Sequence, residues 1–260
     1  RARLFYSLGH YRVGKQWVYR SLAVCSERST PAEAQARNGA ALLEYVTGDY
    51  EAAQQHVDKC LRLAGTRGYS FLETSALLTQ AGIAFASGDY HKGLSDVRAA
   101  QRMAERAGDA EELFWVEDML GDFCRRRGGA RKALEHHRRA LAIAGESHLS
   151  LFERVRASAA IAIDQVASGK ESEARAALVE AVAVSRRWGL DSSLVPALFY
   201  LGWLNARSGR EHEAARSLAE AFRLATEHEQ VHFFLQEARI AVPILALADR
   251  FDAGRTFIRE

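Results

Sequence analysis

Gly48-Asp49-Tyr50-Glu51-Ala52-Ala53 decides the fold, because it recurs 40 residues later as Gly88-Asp89-Tyr90-His91-Lys92-Gly93. Both stretches follow the pattern G-x-Y-x-x-small. The same pattern, with its Tyr lost in later copies, begins at six glycines and, one step further on, at an Asp: Gly9, Gly48, Gly88, Gly128, Gly169, Gly209 and Asp249. A fixed period of about 20–50 residues is typical of a solenoid, in which one supersecondary unit is stacked many times.

A second set of breaks lies about twenty residues after each of these glycines, at Gly68, Gly108, His148, Gly189 and Glu229. The pattern therefore predicts a unit of helix A, a tight turn, helix B and a looser turn. Glycine at the end of helix A supplies the left-handed conformation that a helix C-cap needs. The small residue five positions later lets helix B approach helix A closely. No hairpin can bury its apolar stripe alone, so we expect each to pack only on its neighbours, and deletion of one to leave a folded array.

The sequence predicts an all-α fold, a right-handed superhelix (α-solenoid) of about seven antiparallel helix pairs, as one domain over residues 1–260. Eight residues precede Gly9 and eleven follow Asp249, so both outer hairpins look cut and we expect a segment of a longer protein. The net charge of +2 does not favour nucleic-acid binding by the whole surface. Three widely spaced cysteines and the lack of a secretory signal or long apolar run favour a cytoplasmic protein.

Leu120-Gly121, Leu201-Gly202, the G-x-Y-x-x-Ala turn and the alanine seven residues into helix B resemble the tetratricopeptide repeat over nearly the whole chain. Two features depart from that family. Its period is about 34 residues, and the proline that closes its helix B is missing here. The longer period implies longer helices.

Alanine- and arginine-rich hairpins of this length are similar to the superhelical sensor domain of the MalT-type bacterial activators. The tail, Val242 to Ala248 followed by Arg255 to Arg259, resembles the segment before their DNA-binding region. This resemblance implies inducer sensing and self-association by the superhelix. Gly14-Lys15 and Gly169-Lys170 lack the spacing of a phosphate-binding loop, so neither ATP hydrolysis nor DNA reading is expected of this segment.

Candidate chemistry is sparse. His228 and His232 are four residues apart, but no Glu completes an H-E-x-x-H pattern, so we predict no metal site. Cys25, Cys60 and Cys124 fall at packing positions, where a thiol behaves as a small hydrophobe. No carboxylate pair sits where its pKa would be tuned for acid–base work. We predict a protein that is not an enzyme and needs no cofactor.

Residues 125–139 hold seven cations and one acid, Glu135. This basic cluster either grips a phosphorylated ligand or acidic partner, or is a solvated turn whose cations offset the dipole of helix A. The second interpretation is favoured.

Concave faces of such superhelices are lined by helix A, at about 13, 10, 6 and 3 residues before the turn glycine. Those offsets predict a groove lined by Asn38, Leu42, Tyr45, Leu78, Phe85, Trp115, Asp118, Asp122, Arg125, Phe199, Trp203, Arg207 and Arg239. Aromatic rings mixed with charges suit a ligand groove. Alternatively, Phe199 and Trp203 fill gaps between helices, and Trp115 is expected in the core.

Two functions follow. The first is a non-catalytic sensor and oligomerisation domain of a MalT-like transcriptional regulator, binding a small effector or another protomer in the groove. The alternative is an adaptor that binds a partner protein or peptide. Asn38 could clamp a peptide backbone, but Leu78, Asp118, Ala159 and Phe199 occupy its equivalent positions, so no Asn ladder exists. Neither function predicts direct contact with nucleic acid or membrane.

Overall fold

The observed elements are helices paired in sequence order. A computed structural model describes residues 2–25, 31–237 and 244–245, and no strand occurs among them. The helices are α1 (Ala2–Leu8), α2 (Tyr11–Val24), α3 (Pro31–Val46), α4 (Tyr50–Arg67), α5 (Ser70–Ala86), α6 (Tyr90–Ala107), α7 (Ala110–Arg126), α8 (Ala130–Glu146), α9 (Leu151–Ala167), α10 (Glu171–Trp188), α11 (Asp191–Arg207), α12 (Glu211–His228) and α13 (Val231–Gln236). Odd-numbered helices are the predicted A helices and even-numbered ones the B helices, which confirms the all-α repeat superhelix. The seventh turn at Asp249 lies outside the described residues.

Every predicted break within the described residues adopts a left-handed backbone. The six turn glycines have φ between 72° and 88°. The second set does the same, including His148 (φ 51°) and Glu229 (φ 59°), which are not glycine. In the Gly-Asp-Tyr copies, the carboxylates of Asp49 and Asp89 accept hydrogen bonds from backbone N–H groups in the first turn of helix B. The repeated phrase thus encodes the end of one helix and the N-cap of the next.

The small residue of the phrase lies where helix B packs tightly in the hairpin. Ala53 and Ala214 are fully buried. A Cβ added at Gly93 would lie 2.3 Å from the Phe85 ring, and one added at Gly14 would lie 2.7 Å from Phe5 Cβ. Helix B therefore packs on helix A without room for a larger side chain, as predicted.

Hairpins five repeats apart contact each other: the first meets the sixth, and the second meets the seventh. Helix α1 packs on α11, and α13 packs on α3. The Ser192 hydroxyl donates to the Ser7 carbonyl at 2.9 Å, and Gln230 Nε2 donates to the Gly9 carbonyl at 3.4 Å. We call this contact the seam. The expectation of contacts between neighbours alone is therefore wrong, because the superhelix curves so tightly that helix A of one hairpin meets helix A five repeats on. Deletion of an internal hairpin would therefore disrupt the contacts of α1 with α11 and of α3 with α13.

Among the described residues, no helix combines the length and apolar character needed to cross a membrane.

Candidate functional site

The A helices surround a central cavity with a volume of about 190 Å³. A cavity of about 150 Å³ is large enough to hold benzene, and sites for drug-sized ligands are about 300–1,000 Å³. The central cavity therefore suits one or a few side chains of a partner, or a small molecule. Its walls come from α1, α3, α5, α7, α9, α11 and α13 together.

Most of the residues selected by their offsets from the turn glycine line this cavity. Of the predicted set, the residues that line the cavity are Leu42, Tyr45, Leu78, Phe85, Trp115, Asp118, Asp122 and Arg125. Trp115 also packs in the core, where its ring lies 5.0 Å from Phe114 and 5.7 Å from Tyr6. Trp115 therefore both lines the cavity and packs in the core, two roles that the sequence left as alternatives.

Several lining residues were missed: Arg3, Tyr6, Glu112, Arg156, His232, Gln236 and Glu237. Tyr6 stands 3 residues before Gly9 and Arg156 stands 13 before Gly169, so the same offsets identify both. His232 and Glu237 belong to the seventh hairpin, which has Asp249 in place of the turn glycine.

Three predicted groove residues lie elsewhere. Phe199 is 0% exposed and its ring lies 5.2 Å from that of Phe234 in α13. Trp203 packs on the same core, with the Arg207 guanidinium 5.4 Å from the centre of its ring. None of the three lines the cavity. Phe199 is covered by Phe233 and Phe234 of α13, and the half-exposed Arg207 pairs with Glu171.

The other two predicted residues have different outcomes. Asn38 does not line the cavity. Its Nδ2 donates a hydrogen bond at 3.0 Å to Ser75 Oγ, and Ser75 does line the cavity. Arg239 lies outside the described residues.

A buried ion network forms one side of the cavity, with Arg125 at its centre. Its guanidinium lies 2.5 Å from Asp122, 3.1 Å from Asp164 and 2.9 Å from Glu237. Burial alone would lower the pKa of Arg125, but these carboxylates outweigh it and hold that pKa well above its usual value. The Tyr200 hydroxyl donates to Glu237 at 3.1 Å. Arg125 therefore joins α7, α9 and the residue that follows α13.

Two more cations complete the network. Arg156 Nε donates to Asp118 at 2.8 Å, and its guanidinium lies 5.7 Å from the centre of the Trp115 ring. The His137 ring lies between two carboxylates, with Nδ1 2.5 Å from Asp164 and Nε2 3.5 Å from Asp122. Burial lowers the pKa of His137, but the hydrogen bonds to these carboxylates raise it to about 9. A protonated His137 is thus part of the charge balance at neutral pH.

We expect the free energy of unfolding to depend on pH through His137. Its folded pKa of about 9 exceeds its ordinary value of 6.5, so its contribution is full below pH 6.5 and is lost as the pH rises to about 9. The loss should reach at most about 3 kcal/mol. Urea unfolding of the wild type and of His137→Gln, at pH values between 6 and 9.5, measures it. If the free energy of unfolding changed equally with pH in the two proteins, the prediction would be contradicted.

Five buried polar side-chain atoms of α7 have no hydrogen-bond partner among the described residues, and all five belong to residues that line the cavity. They are the donors Trp115 Nε1, Arg125 Nε and Arg126 Nε, and the acceptors Glu112 Oε2 and Asp118 Oδ1. Leaving such a group unsatisfied costs about 1–3 kcal/mol. A guest with both donors and acceptors would recover this free energy once small side-chain movements bring these atoms into contact with it, so we expect the wall to suit amide groups.

The basic cluster of residues 125–139 is divided among different environments. Arg125 belongs to the buried network. Arg127 lies with its guanidinium 4.6 Å from the centre of the Tyr90 ring, and Arg131 pairs with Glu135 on the surface. These residues do not form one basic patch, which favours the solvated-turn interpretation for the exposed members.

Cys60 and Cys124 offer little nucleophilic character. Burial raises the pKa of the Cys60 thiol to about 12, and burial also raises that of Cys124. Reactive cysteines need the opposite shift, because the thiolate is the nucleophile.

Comparison with known proteins supports the repeat fold. The family model described as "Tetratricopeptide repeat" matches residues 73–146. No curated protein matches this chain in sequence.

Among solved structures, the chain is similar to a Rap protein complexed with Competence and Sporulation Factor, with 13% identity, 92% of this chain and 70% of that chain covered, and a TM-score of 0.69. It is similar to NprR in complex with its cognate peptide NprX, with 12% identity, 99% and 74% covered, and a TM-score of 0.70. It is also similar to BtubC (BKLC) from P. vanneervenii, with 14% identity, 85% and 90% covered, and a TM-score of 0.56. At these identities the likeness shows the fold alone, an all-α superhelix of tetratricopeptide-like hairpins.

Proposed function

We propose that this chain is a non-catalytic scaffold whose central cavity receives part of a partner peptide or protein segment. The carrying observation is the set of unpartnered donors and acceptors on the α7 residues that line the cavity. Each peptide bond supplies one donor and one acceptor, which complements this mixed set. Two solved structures of similar fold support the choice of guest, since one holds the Competence and Sporulation Factor and the other the peptide NprX.

The shape and charge of the cavity limit what can bind. Four arginines face it, Arg3, Arg125, Arg126 and Arg156, and four acids, Glu112, Asp118, Asp122 and Glu237. Because these charges balance, the site does not favour a strongly acidic or strongly basic guest. The rings of Trp115 and Tyr45 supply stacking area. We therefore expect a guest of low net charge that carries an apolar or aromatic side chain.

The alternative, the sensor function of a MalT-type regulator, stays a prediction. It places a small effector in the same cavity and adds self-association. A small effector would be bound by the same polar atoms of α7, so the two functions differ in the guest and share the site.

The test is selection of peptides from a randomised library displayed on phage, with the intact chain as bait. Selected peptides are synthesised, labelled and titrated by fluorescence anisotropy. Trp115→Phe replaces the indole with a smaller aromatic ring and removes Nε1–H, so it should weaken binding by at least about tenfold, the worth of roughly one hydrogen bond.

Trp188→Phe is the matched control, because Trp188 is 58% exposed and does not line the cavity. Binding to this variant should equal that of the wild type, and circular dichroism should show unchanged helix content in both. If no peptide is selected, or if the two variants bind equally well, the proposal is wrong.

A further inference from the structure

Two histidines and an aspartate meet at the seam. His10 precedes α2, Asp191 is the first residue of α11, and His228 is the last residue of α12. Their potential ligand atoms all lie within 4.8 Å of one another. His228 Nε2 is 3.2 Å from Asp191 Oδ2, and His10 Nε2 is 3.9 Å from the same oxygen.

Hydrogen bonding alone accounts poorly for this cluster. The separation of 3.9 Å between His10 and Asp191 exceeds a hydrogen bond. The rings of His10 and His228 lie 4.5 Å apart, close enough for two imidazolium ions to repel. The two imidazoles and the carboxylate are ligand types that bind transition-metal ions.

We propose that His10, Asp191 and His228 form a site for a divalent transition metal, with Zn²⁺ the best match. Zinc takes imidazole and carboxylate ligands at about 2.0–2.2 Å in a tetrahedron, which places ligand atoms about 3.3 Å apart. The observed separations need only small side-chain movements to reach that value. Ca²⁺ and Mg²⁺ prefer ligand sets made entirely of oxygen, so the two imidazoles disfavour them. Water would complete the coordination.

The ligands come from opposite ends of the superhelical turn, so the metal would act as a clamp. His10 belongs to the first hairpin, while Asp191 and His228 belong to the sixth. The direct links across the seam nearby are the hydrogen bonds of Ser7 with Ser192 and of Gly9 with Gln230. A metal bridge would hold α1 against α11, and with it Arg3 and Tyr6 in the cavity wall.

The sequence predicts no metal site, and this proposal departs from that prediction. The pair considered there, His228 and His232, is separated in the structure, since His232 contacts Tyr45 and Tyr50. The partner of His228 lies near the other end of the chain, where no spacing rule along one helix could reveal it.

The site is tested by isothermal titration of the chelator-treated chain with Zn²⁺ alone. We expect one Zn²⁺ per chain, and affinity at least tenfold weaker in His10→Ala and in His228→Ala. His91→Ala is the matched control, because His91 is exposed and outside the cluster, and it should bind as the wild type does. Circular dichroism checks that each variant folds. Absence of Zn²⁺ binding by the wild type, or equal affinity in all three variants, overturns the site.

Hydrogen exchange tests the clamp. Zn²⁺ should slow exchange of the amides of α1 and of the first turns of α11 in the wild type and in His91→Ala, but leave His10→Ala unchanged. If Zn²⁺ binds the wild type while exchange at both helices stays the same, the clamp is overturned.

Discussion

Replacing Arg125 with Ala is expected to lower the free energy of unfolding by about 3–5 kcal/mol. The substitution leaves Asp122, Asp164 and Glu237 buried without the cation that all three contact. Removal of one partner from a buried ion network costs more than the network contributes, because the remaining charges stay desolvated. Urea unfolding at pH 7, followed by circular dichroism, measures the difference.

The control for Arg125→Ala is Arg131→Ala. The Arg131 side chain is 94% exposed and pairs with the exposed Glu135, so its loss should change the unfolding free energy by less than about 0.5 kcal/mol. The difference in the free energy of unfolding between Arg125→Ala and the wild type should also become smaller at acid pH. Burial raises the pKa of Asp122, but Arg125, His137 and Arg156 outweigh it and hold that pKa well below 3.8. The stability that ionised Asp122 contributes is therefore lost as the pH falls from about 3.8 through its lowered pKa. A loss below about 1 kcal/mol at pH 7 would show that the network relaxes or takes up water when Arg125 is removed.

Phe199→Ala should lower the free energy of unfolding by about 3–5 kcal/mol, the usual cost of deleting a buried aromatic side chain. Phe199 is 0% exposed and contacts Phe222, Phe233 and Phe234. The cavity left behind would be enclosed by rings from α12 and α13, which cannot move inward without loosening the last described hairpin. Thermal and urea unfolding measure the effect.

Trp203→Ala is the comparison for Phe199→Ala. Trp203 is only partly buried and packs at the edge of the same cluster. Trp203→Ala should therefore lower the free energy of unfolding by less than half as much as Phe199→Ala. Peptide affinity should be unchanged in Trp203→Ala, because its side chain does not line the cavity. Equal destabilisation by the two variants would show that the edge of this cluster is as important as its centre.

The periodic part of the fold could be predicted from the sequence, because it depends on local backbone chemistry. The spacing identifies His148 and Glu229 as left-handed positions even though neither is glycine, since the repeat fixes where helix B must end. Residue type alone would have missed both. The match to the tetratricopeptide repeat over residues 73–146 agrees with this pattern, while the MalT-type resemblance stays a prediction.

The candidate site was predictable where the A helices keep an open inner face, and not elsewhere. Offsets from the turn glycine place Asp118, Asp122 and Arg125 in the cavity wall. They fail for Phe199, because α13 packs across α11. Contacts such as that of Arg125 with Glu237 join distant repeats, and no local pattern encodes them.

The seam also changes how the array should fold. In an open solenoid each hairpin interacts only with its neighbours, so stability is a sum of local terms and the ends fray independently. Here the contact of Ser7 with Ser192 can form only after the intervening hairpins have taken their places. Closing such a long loop is slow and entropically costly, but once formed the contact couples the first hairpin to the sixth. The ring should therefore melt as one cooperative unit, in which loosening the first hairpin also loosens the sixth.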